Sequence, residues 1–379
     1  MLKLKQALAS VNKSQADLAR ALGVNRSTIA HLCNNNLWPK SVDRLELKQQ
    51  IRSFLEKCGA AAATVSTAFD DETAHDDAPQ SSMSVEDEQM LLRKQSLTPA
   101  AKQAFGLARD PFGDVYSADE MYLTPGSRYV REALRQTARH GGFVAICGES
   151  GAGKSTLRKD LTEWLTVNHT QTIVIEPYVL GMEDNDIKGK TLKSAHIAEA
   201  ILAAAAPGQP VRRTQDARFR QVHESLKESH RSGNRHVLVI EEAHSLPIPT
   251  LKHLKRFYEL EDGFSKLLGI VLIGQTELER KLDERDPRVR EVVQRCELVK
   301  LLPLDNELEG YLEQRLSLAG KQLDELMDTT AVQALRNKLT GTNHSVLYPL
   351  AINNVLKAAL NEAAELGLPQ LTAELIAEV

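Results

Sequence analysis

The residues with the clearest chemical meaning form one glycine-rich loop in the middle of the chain. The loop comprises Gly148, Glu149, Ser150, Gly151, Ala152, Gly153, Lys154 and Ser155 and is followed by Thr156. Its spacing fits G-x-x-x-x-G-K-[ST], in which backbone N–H groups close around a phosphate chain. We expect Lys154 to reach the β- and γ-phosphates and the Ser155 hydroxyl to bind Mg²⁺. The loop therefore predicts binding of a nucleoside triphosphate with Mg²⁺.

The segments on either side of the loop have the character that this motif requires. The apolar run from Phe143 to Cys147 is typical of a buried strand, and Thr156 to Leu161 is typical of the first turns of a helix. A helix N-terminus adds a partial positive charge at the point where the phosphates would lie.

Two adjacent glutamates follow a second buried strand, Val237 to Ile240. Glu241 is in position to hold Mg²⁺, and Glu242 to polarise the water that attacks the γ-phosphate. The usual first residue is aspartate, so Glu241 is a departure whose longer side chain could slow turnover. The alternative interpretation is a pair of solvated glutamates at a strand end.

Further polar residues follow in the sequence. Gln275 or Thr276, after the apolar run Leu268 to Ile273, is placed to sense the γ-phosphate, although either could be a turn residue. An arginine can act on the nucleotide of a neighbouring subunit. The candidates are Arg295 first, then Arg290 and Arg288, with Arg285 nearby. The alternative is a solvated charged face.

The order of apolar and amphipathic segments predicts an α/β fold. Further strands are expected at Ile173 to Ile175 and Val299 to Leu302, with a helix from His196 to Ala206. Strands that alternate with helices indicate a parallel sheet with helices on both faces. Residues 101–304 form this predicted core. Residues 305–379 contain amphipathic segments at Glu307 to Leu318, Ala331 to Leu339 and Leu347 to Leu366.

Residues 1–58 predict a small all-α domain ahead of the core. A helix from Ser14 to Leu22, a turn at Gly23 and a second helix from Asn25 to Asn34 resemble the helix-turn-helix of phage-repressor-type proteins. The second helix would present Arg26, Ser27, Thr28 and His31 to a DNA groove. Residues 1–59 carry ten Lys/Arg and four Asp/Glu, a net charge of +6, which favours a polyanion partner. A small helical interaction domain is the alternative.

Residues 59–100 predict a flexible acidic linker, with a short helix from Val85 to Gln95. Residues 60–100 carry a net charge of −6, within a total of −4 for the chain. The sequence has neither an apolar run of about 20 residues nor the apolar core of a signal peptide. Its four cysteines are scattered without a C-x-x-C pair, which fits a reducing compartment. We therefore expect no membrane partner and a location in a reducing cytoplasm.

Taken together, these motifs resemble the AAA+ ATPases of the ExeA-like and transposon type. The resemblance rests on Phe105 to Leu107, Asp110 to Phe112, Gly142 to Val144, Ile240 to His244, Leu272 to Leu278, Gln294 to Cys296, Leu302 to Leu304 and Pro349 to Asn354. It implies ATP hydrolysis to ADP and phosphate, and a helical lid over residues 305–379. In this family an arginine that senses nucleotide follows the proline of the lid motif, whereas this chain has Leu350.

With the N-terminal helix-turn-helix, the chain resembles the B target-selection proteins of transposing bacteriophages. That resemblance implies a homo-oligomeric ring or helical filament on double-stranded DNA. It also implies recruitment of a transposase, and ATP hydrolysis that drives disassembly.

Basic residues in the core offer a DNA track that needs no sequence recognition. These are Arg212, Arg213, Arg218 and Arg220 in one segment, and Lys252, Lys255 and Arg256 after the acidic motif. Surface solvation is the alternative for each cluster. Two other functions stay open: an ATP-regulated DNA-binding transcriptional regulator, and an ExeA-like secretion-assembly ATPase. The secretion class needs a membrane segment and a periplasmic domain, and we recognise neither in the sequence.

Overall fold

The computed structural model describes two compact units, residues 1–80 and residues 81–379, of which the second holds the parallel sheet. In the second unit the structure describes residues 93–169, 171–177, 192–341 and 344–379. In the first unit it describes residues 8, 11, 13–22, 50, 51, 53–55, 57 and 58. In the first unit, helix α1 (Gln15–Leu22) lies where the first helix of the helix-turn-helix was predicted. Its apolar core contains Leu8, Leu18, Ala19, Ile51 and Leu55. The predicted second helix, with Arg26, Ser27, Thr28 and His31, lies outside the described residues.

The second unit alternates strands and helices and then becomes helical. Its strands are β1 (Phe143–Cys147), β2 (Thr172–Ile175), β3 (Arg235–Ile240), β4 (Glu261–Asp262), β5 (Ser265–Lys266), β6 (Gly269–Gly274) and β7 (Glu297–Lys300). Its helices up to β7 are α2 (Pro99–Ala104), α3 (Pro125–His140), α4 (Lys154–Asn168), α5 (Ser194–Ala205), α6 (Gln215–Arg231), α7 (Ile248–Tyr258), α8 (Thr276–Lys281) and α9 (Arg290–Val293). The helices that follow are α10 (Leu308–Ser317), α11 (Leu323–Leu326), α12 (Thr329–Leu339), α13 (Pro349–Leu366) and α14 (Ala373–Glu378). Within the described ranges, no helix is long and apolar enough to cross a membrane.

Five strands form one parallel sheet in the order β2-β3-β6-β1-β7, while β4 and β5 form a separate short hairpin. β1 lies between β6 and β7, with Cys147 opposite Gly274 on one side and Lys300 on the other. Because all five strands run the same way, their carboxyl ends share one edge. The polar residues after β1, β3 and β6 therefore meet at that edge.

Alternating side chains of the central strands point to opposite faces of the sheet. Phe143, Ala145 and Cys147 face a core that includes residues of α5, α6, α7 and α8. Val144 and Ile146 face a second core, built with residues of α3 and α4. The prediction of a parallel sheet with helices on both faces is confirmed.

One strand begins and ends two residues earlier in the chain than predicted. The apolar run predicted a strand from Val299 to Leu302, whereas β7 ends at Lys300. Its neighbour β1 ends at Cys147, opposite Lys300, so the ladder has no further partner. Leu301 then turns into the core, and Leu302 is 73% exposed.

Residues 95–112, which we call the N-terminal strap, pack on the helical part of the second unit. Leu97, Ala101, Phe105, Leu107 and Phe112 share one core with residues of α10, α12, α13 and α14. The Gln95 N–H donates to Asn354 Oδ1 at 3.3 Å, and the Thr98 N–H to Asn361 Oδ1 at 2.9 Å. The predicted linker therefore ends before Gln95 rather than at residue 100. The predicted helix from Val85 to Gln95 does not extend over residues 93–95, which are not helical. Residues 59–92 lie outside the described ranges.

Two buried cations hold the turn at the end of the strap. Arg315, 2% exposed on α10, donates from Nε to Pro111 O at 2.6 Å and from Nη2 to Gly113 O at 2.5 Å. Lys357 on α13 lies 3.2 Å from the Asp110 carboxylate. A buried charge is stable only when it is paired or hydrogen-bonded, so these contacts constrain the turn. The strap therefore packs with the helical part, although the prediction placed residues 101–112 in the core.

The buried imidazole of His236 on β3 makes folding sensitive to acid. His236 is 3% exposed, its Nε2 lies 2.9 Å from Ser229 Oγ, and burial lowers its pKa to about 4. Between about pH 6.5 and pH 4, His236 is protonated in the unfolded chain but stays neutral in the folded protein. Stability is therefore fully present above about pH 6.5 and falls by up to about 3 kcal/mol as the pH drops to about 4.

Urea unfolding between pH 7.5 and pH 4.5 checks this prediction. His236→Gln should flatten the pH dependence of the free energy of unfolding. His140→Gln, at the exposed end of α3, is the matched control and should leave it unchanged. An equally steep pH dependence in His236→Gln would contradict the assignment.

Candidate functional site

The glycine-rich loop connects the end of β1 to the start of α4, as its motif predicted. Gly151 and Gly153 adopt positive φ angles of 81° and 92°, which only glycine takes without strain. A Cβ at Gly153 would find nothing within 4 Å, so this backbone is open to a ligand. The loop and the first turn of α4 together form a cradle for an anion. This geometry fits a phosphate chain.

Lys154, the first residue of α4, folds over the loop. Its Nζ donates to Gly148 O at 2.7 Å and to Glu149 O at 2.8 Å. Burial lowers the pKa of Lys154, and the carboxylates of Glu242 and Glu149 act in the opposite direction. Both hydrogen-bond acceptors are neutral carbonyls, so the ammonium charge is available to phosphate oxygens.

A cleft of about 600 Å³ opens beside the loop. It lies between the loop, residues 113–127 and the helical part, and this volume suits a nucleotide-sized ligand. The lining includes Ser150, Gly151, Ala152, Gly153, Lys154, Ser155, Thr156, Tyr122, Glu242, Gln275, Pro349, Leu350 and Asn353. The cleft thus gathers residues from the loop, from β3, from β6 and from α13.

Glu242 faces this cleft through an unusual backbone conformation. It has a φ of 49°, and no other non-glycine residue within the described ranges has a positive φ. Its carbonyl accepts from the Ser245 N–H at 2.9 Å and from Ser245 Oγ at 2.8 Å. Such strain is costly and is concentrated at functional sites. In this conformation Glu242 lines the cleft, as polarising a water there requires.

Glu241 is engaged by an arginine that the sequence analysis did not single out. Arg158 Nε lies 2.9 Å from Glu241 Oε1, without hydrogen-bond alignment, while Nη1 donates to Glu176 Oε1 at 3.1 Å. Arg158 follows Lys154 by four residues and so lies one helical turn further along the same face. The four-residue spacing from Lys154 was the sequence signal that could have identified Arg158 as a residue near the site.

Of the two residues predicted to bind Mg²⁺, only Ser155 lies at the cleft. Ser155 lines the cleft and is in place to bind the ion, whereas Glu241 is not among the lining residues and is paired with Arg158. Within the described ranges, no group of three or more His, Cys, Asp or Glu residues could hold a metal. Mg²⁺ coordination by Ser155 fits the structure, and coordination by Glu241 stays a prediction.

The two polar residues after β6 have different surroundings. Gln275 lines the cleft, whereas Thr276 Oγ1 donates to Glu149 Oε1 at 2.7 Å. Thr276 therefore connects α8 to the phosphate loop. Gln275 lies at the cleft, and its role in sensing a phosphate stays a prediction.

The three candidate arginines lie away from the cleft of their own chain. Arg288 pairs with Asp286 at 2.8 Å, Arg295 Nε lies 3.0 Å from Glu259 Oε1, and Arg290 is exposed on α9. None is among the residues described as lining the cleft. A role in a neighbouring subunit's site stays a prediction for each of them.

The core residues predicted to contact DNA lie on α6, just before α6, or on α7, and these two helices touch through aromatic side chains. The rings of Phe219 and His253 stack between these helices, with centroids 5.9 Å apart. We call the exposed cations around them the α6–α7 basic surface: Arg212, Arg213, Arg220, Lys252 and Arg256. Lys255 does not belong to it, because its Nζ lies 2.6 Å from Glu291 and 3.6 Å from Glu259. Arg218 is likewise paired, with Glu199 at 3.1 Å.

The helical part touches the phosphate loop at Leu350. The Leu350 N–H donates to Gly151 O at 3.4 Å, and a Cβ added to Gly151 would lie 2.3 Å from Leu350 Cβ. Leu350 occupies the position where the resemblance implied a sensing arginine. The contact therefore combines a backbone hydrogen bond with the packing of an uncharged side chain.

This contact predicts different effects of two similar substitutions. Gly151→Ala and Gly153→Ala both place a side chain at positive φ, at a cost of about 1–2 kcal/mol. Only Gly151→Ala also pushes against Leu350, so it should weaken binding of a fluorescent ATP analogue more than Gly153→Ala does. Equal affinities of the two variants, measured by titration, would refute the importance of the Leu350 contact.

Comparisons with known proteins agree with this geometry. Residues 136–282 match the model of the AAA domain, and residues 4–41 match the model of a helix-turn-helix. Over 275 residues the chain is 30% identical to General secretion pathway protein A of Aeromonas hydrophila, covering 70% of this chain and 45% of that protein. The chain thus spans less than half the length of this relative.

Among solved structures, the chain is similar to Cdc6p from Pyrobaculum aerophilum, with 16% identity and a TM-score of 0.49 over 70% of this chain and 68% of that chain. It is also similar to the Aeropyrum pernix ORC2 protein, with 17% identity and a TM-score of 0.46 over 71% of each chain. The family-model matches, the parallel sheet and the phosphate loop together show that this chain carries an AAA domain of the P-loop type, preceded by a helix-turn-helix.

Proposed function

We propose that the protein is an ATP-dependent, DNA-binding ATPase that assembles on double-stranded DNA as a ring or helical filament. In this proposal it selects target DNA, recruits or activates a transposase, and leaves the DNA when ATP is hydrolysed. The site of action would be the bacterial host cytoplasm. The transposase and the filament come from the resemblance to phage target-selection proteins.

One observation carries the link between nucleotide and DNA. Helix α7 begins at Ile248, six residues after Glu242, and presents Lys252 and Arg256 on the α6–α7 basic surface. Exposed cations attract phosphates regardless of base sequence. A change at Glu242 therefore reaches the basic surface through one short turn.

In this proposal each residue of the cleft has a different role in ATP hydrolysis. Lys154 and the loop N–H groups hold the phosphate chain, and Glu242 accepts a proton from the attacking water at its carboxylate. Gln275 contacts the reacting end, and Arg295, Arg290 or Arg288 acts from the neighbouring subunit. Mg²⁺, when bound at Ser155, neutralises phosphate charge. Leu350 adds no charge, so turnover should be slow until a partner stimulates it.

Two variants separate nucleotide binding from hydrolysis. Lys154→Ala removes the cation of the loop and should abolish ATP-analogue binding and ATP-dependent co-sedimentation with DNA. Glu242→Gln keeps the shape but loses the proton acceptor, so it should bind ATP, lower turnover at least 100-fold and stay on DNA. Normal ATP turnover in Glu242→Gln would show that another residue is the base.

The α6–α7 basic surface predicts a change in salt dependence. Arg220→Ala combined with Arg256→Ala should weaken DNA binding and reduce the slope of log K against log[salt] by about 2, since each phosphate contact contributes about 0.9. Arg128→Ala combined with Lys159→Ala removes two exposed charges from α3 and α4 and is the matched control. Fluorescence anisotropy at several salt concentrations measures both slopes. Equal slopes in the two double variants would argue against this surface.

A second candidate function is secretion assembly, favoured by the 30% identity to General secretion pathway protein A. It predicts ATP turnover that does not respond to DNA. The primary proposal predicts turnover that changes with DNA and ATP-dependent binding to random sequences. Binding to only one operator sequence would instead indicate the transcriptional regulator.

A further inference from the structure

His244 lies between the proposed catalytic glutamate and the loop that follows β6. It lies in the short 3-10 turn Ala243–Ser245, and its side chain is 15% exposed. Its Nδ1 is 3.5 Å from Glu242 Oε2 and also 3.5 Å from the backbone N of Gln275. One ring nitrogen therefore faces two functional residues from different strands.

The chemistry of imidazole allows this nitrogen only one of the two partners at a time. A ring nitrogen that carries hydrogen donates to the Glu242 carboxylate, whereas a bare one accepts from the Gln275 N–H. In the structure the Gln275 N–H donates to Nδ1, whereas the equally long Nδ1–Glu242 contact lacks hydrogen-bond alignment. The second arrangement, with Nδ1–H donating to Glu242, therefore needs a small rotation of the ring or of the carboxylate.

Helix α8 connects this turn to the phosphate loop. At its last residue, Lys281 Nζ donates to His244 O and, at 3.3 Å, to Leu246 O. At its first residue, Thr276 donates to Glu149 in the loop. A displacement at the phosphate loop therefore reaches both the backbone and the ring of His244 through one six-residue helix.

We propose that His244 is a positioning residue that sets the orientation of the Glu242 carboxylate according to the position of Gln275. When Nδ1 accepts from Gln275, the carboxylate loses its donor. When Gln275 moves toward the cleft, the neutral ring exchanges its one proton from Nε2 to Nδ1 through solvent, and Nδ1–H then donates to Glu242 and holds it in place. The inference rests on the proposed role of Glu242 in ATP hydrolysis.

The test compares the full chain with His244→Ala and His244→Asn. Asparagine places an amide near the position of Nδ1, where it can accept from Gln275 or donate to Glu242. His244→Ala should speed hydrogen exchange at the Gln275 amide and lower kcat about tenfold, with unchanged affinity for a non-hydrolysable ATP analogue. His244→Asn should restore both the protection and the turnover. His244→Leu, which fills the site without a hydrogen-bonding atom, repeats the comparison should the alanine variant unfold.

The outcomes separate this inference from the function it rests on. Unchanged exchange at Gln275, unchanged kcat, or a loss that asparagine does not rescue would overturn the role of His244. A wild-type chain without ATP turnover would instead overturn the proposed function. In that case exchange at Gln275 in the nucleotide-free protein still decides whether His244 accepts from it.

Discussion

The contact between Leu350 and Gly151 is the constraint on which the candidate site depends. It brings the first turn of α13 against the phosphate loop, with one backbone hydrogen bond and tight packing of the Leu350 side chain. The cleft exists because the helical part is held at this distance from the end of β1. A nucleotide in the cleft would contact both sides, so its binding is coupled to the position of the helical part.

The N-terminal strap is bound to the same helices that line the cleft, so it is coupled to the position of the helical part. Arg315 and Lys357 fix the turn at 110–113 to α10 and α13, and Asn354 and Asn361 bind the strap from Gln95 onward. These side chains come from the same helices that reach the cleft. A movement of α13 would therefore move the strap with it.

The features predicted well from the sequence were those specified by neighbouring residues. The phosphate loop and strands β1, β3 and β6 are local patterns of glycine spacing and buried apolar runs. The end of β7 was missed because it depends on where its neighbour β1 stops. Residues 95–100 of the strap were assigned to the linker because their partners Asn354 and Asn361 lie more than 250 residues away in the chain. The contacts of Arg158 with Glu241 and of His244 with Gln275 join residues that follow different strands, so they depend on the fold of the sheet.

The central claim is that nucleotide in the cleft controls assembly on DNA. Electron microscopy of the full chain with random-sequence DNA, with and without a non-hydrolysable ATP analogue, tests it most directly. The account predicts ordered rings or filaments on DNA only when the analogue is present. Equal coverage of the DNA without nucleotide, or no assembly with it, would contradict the account.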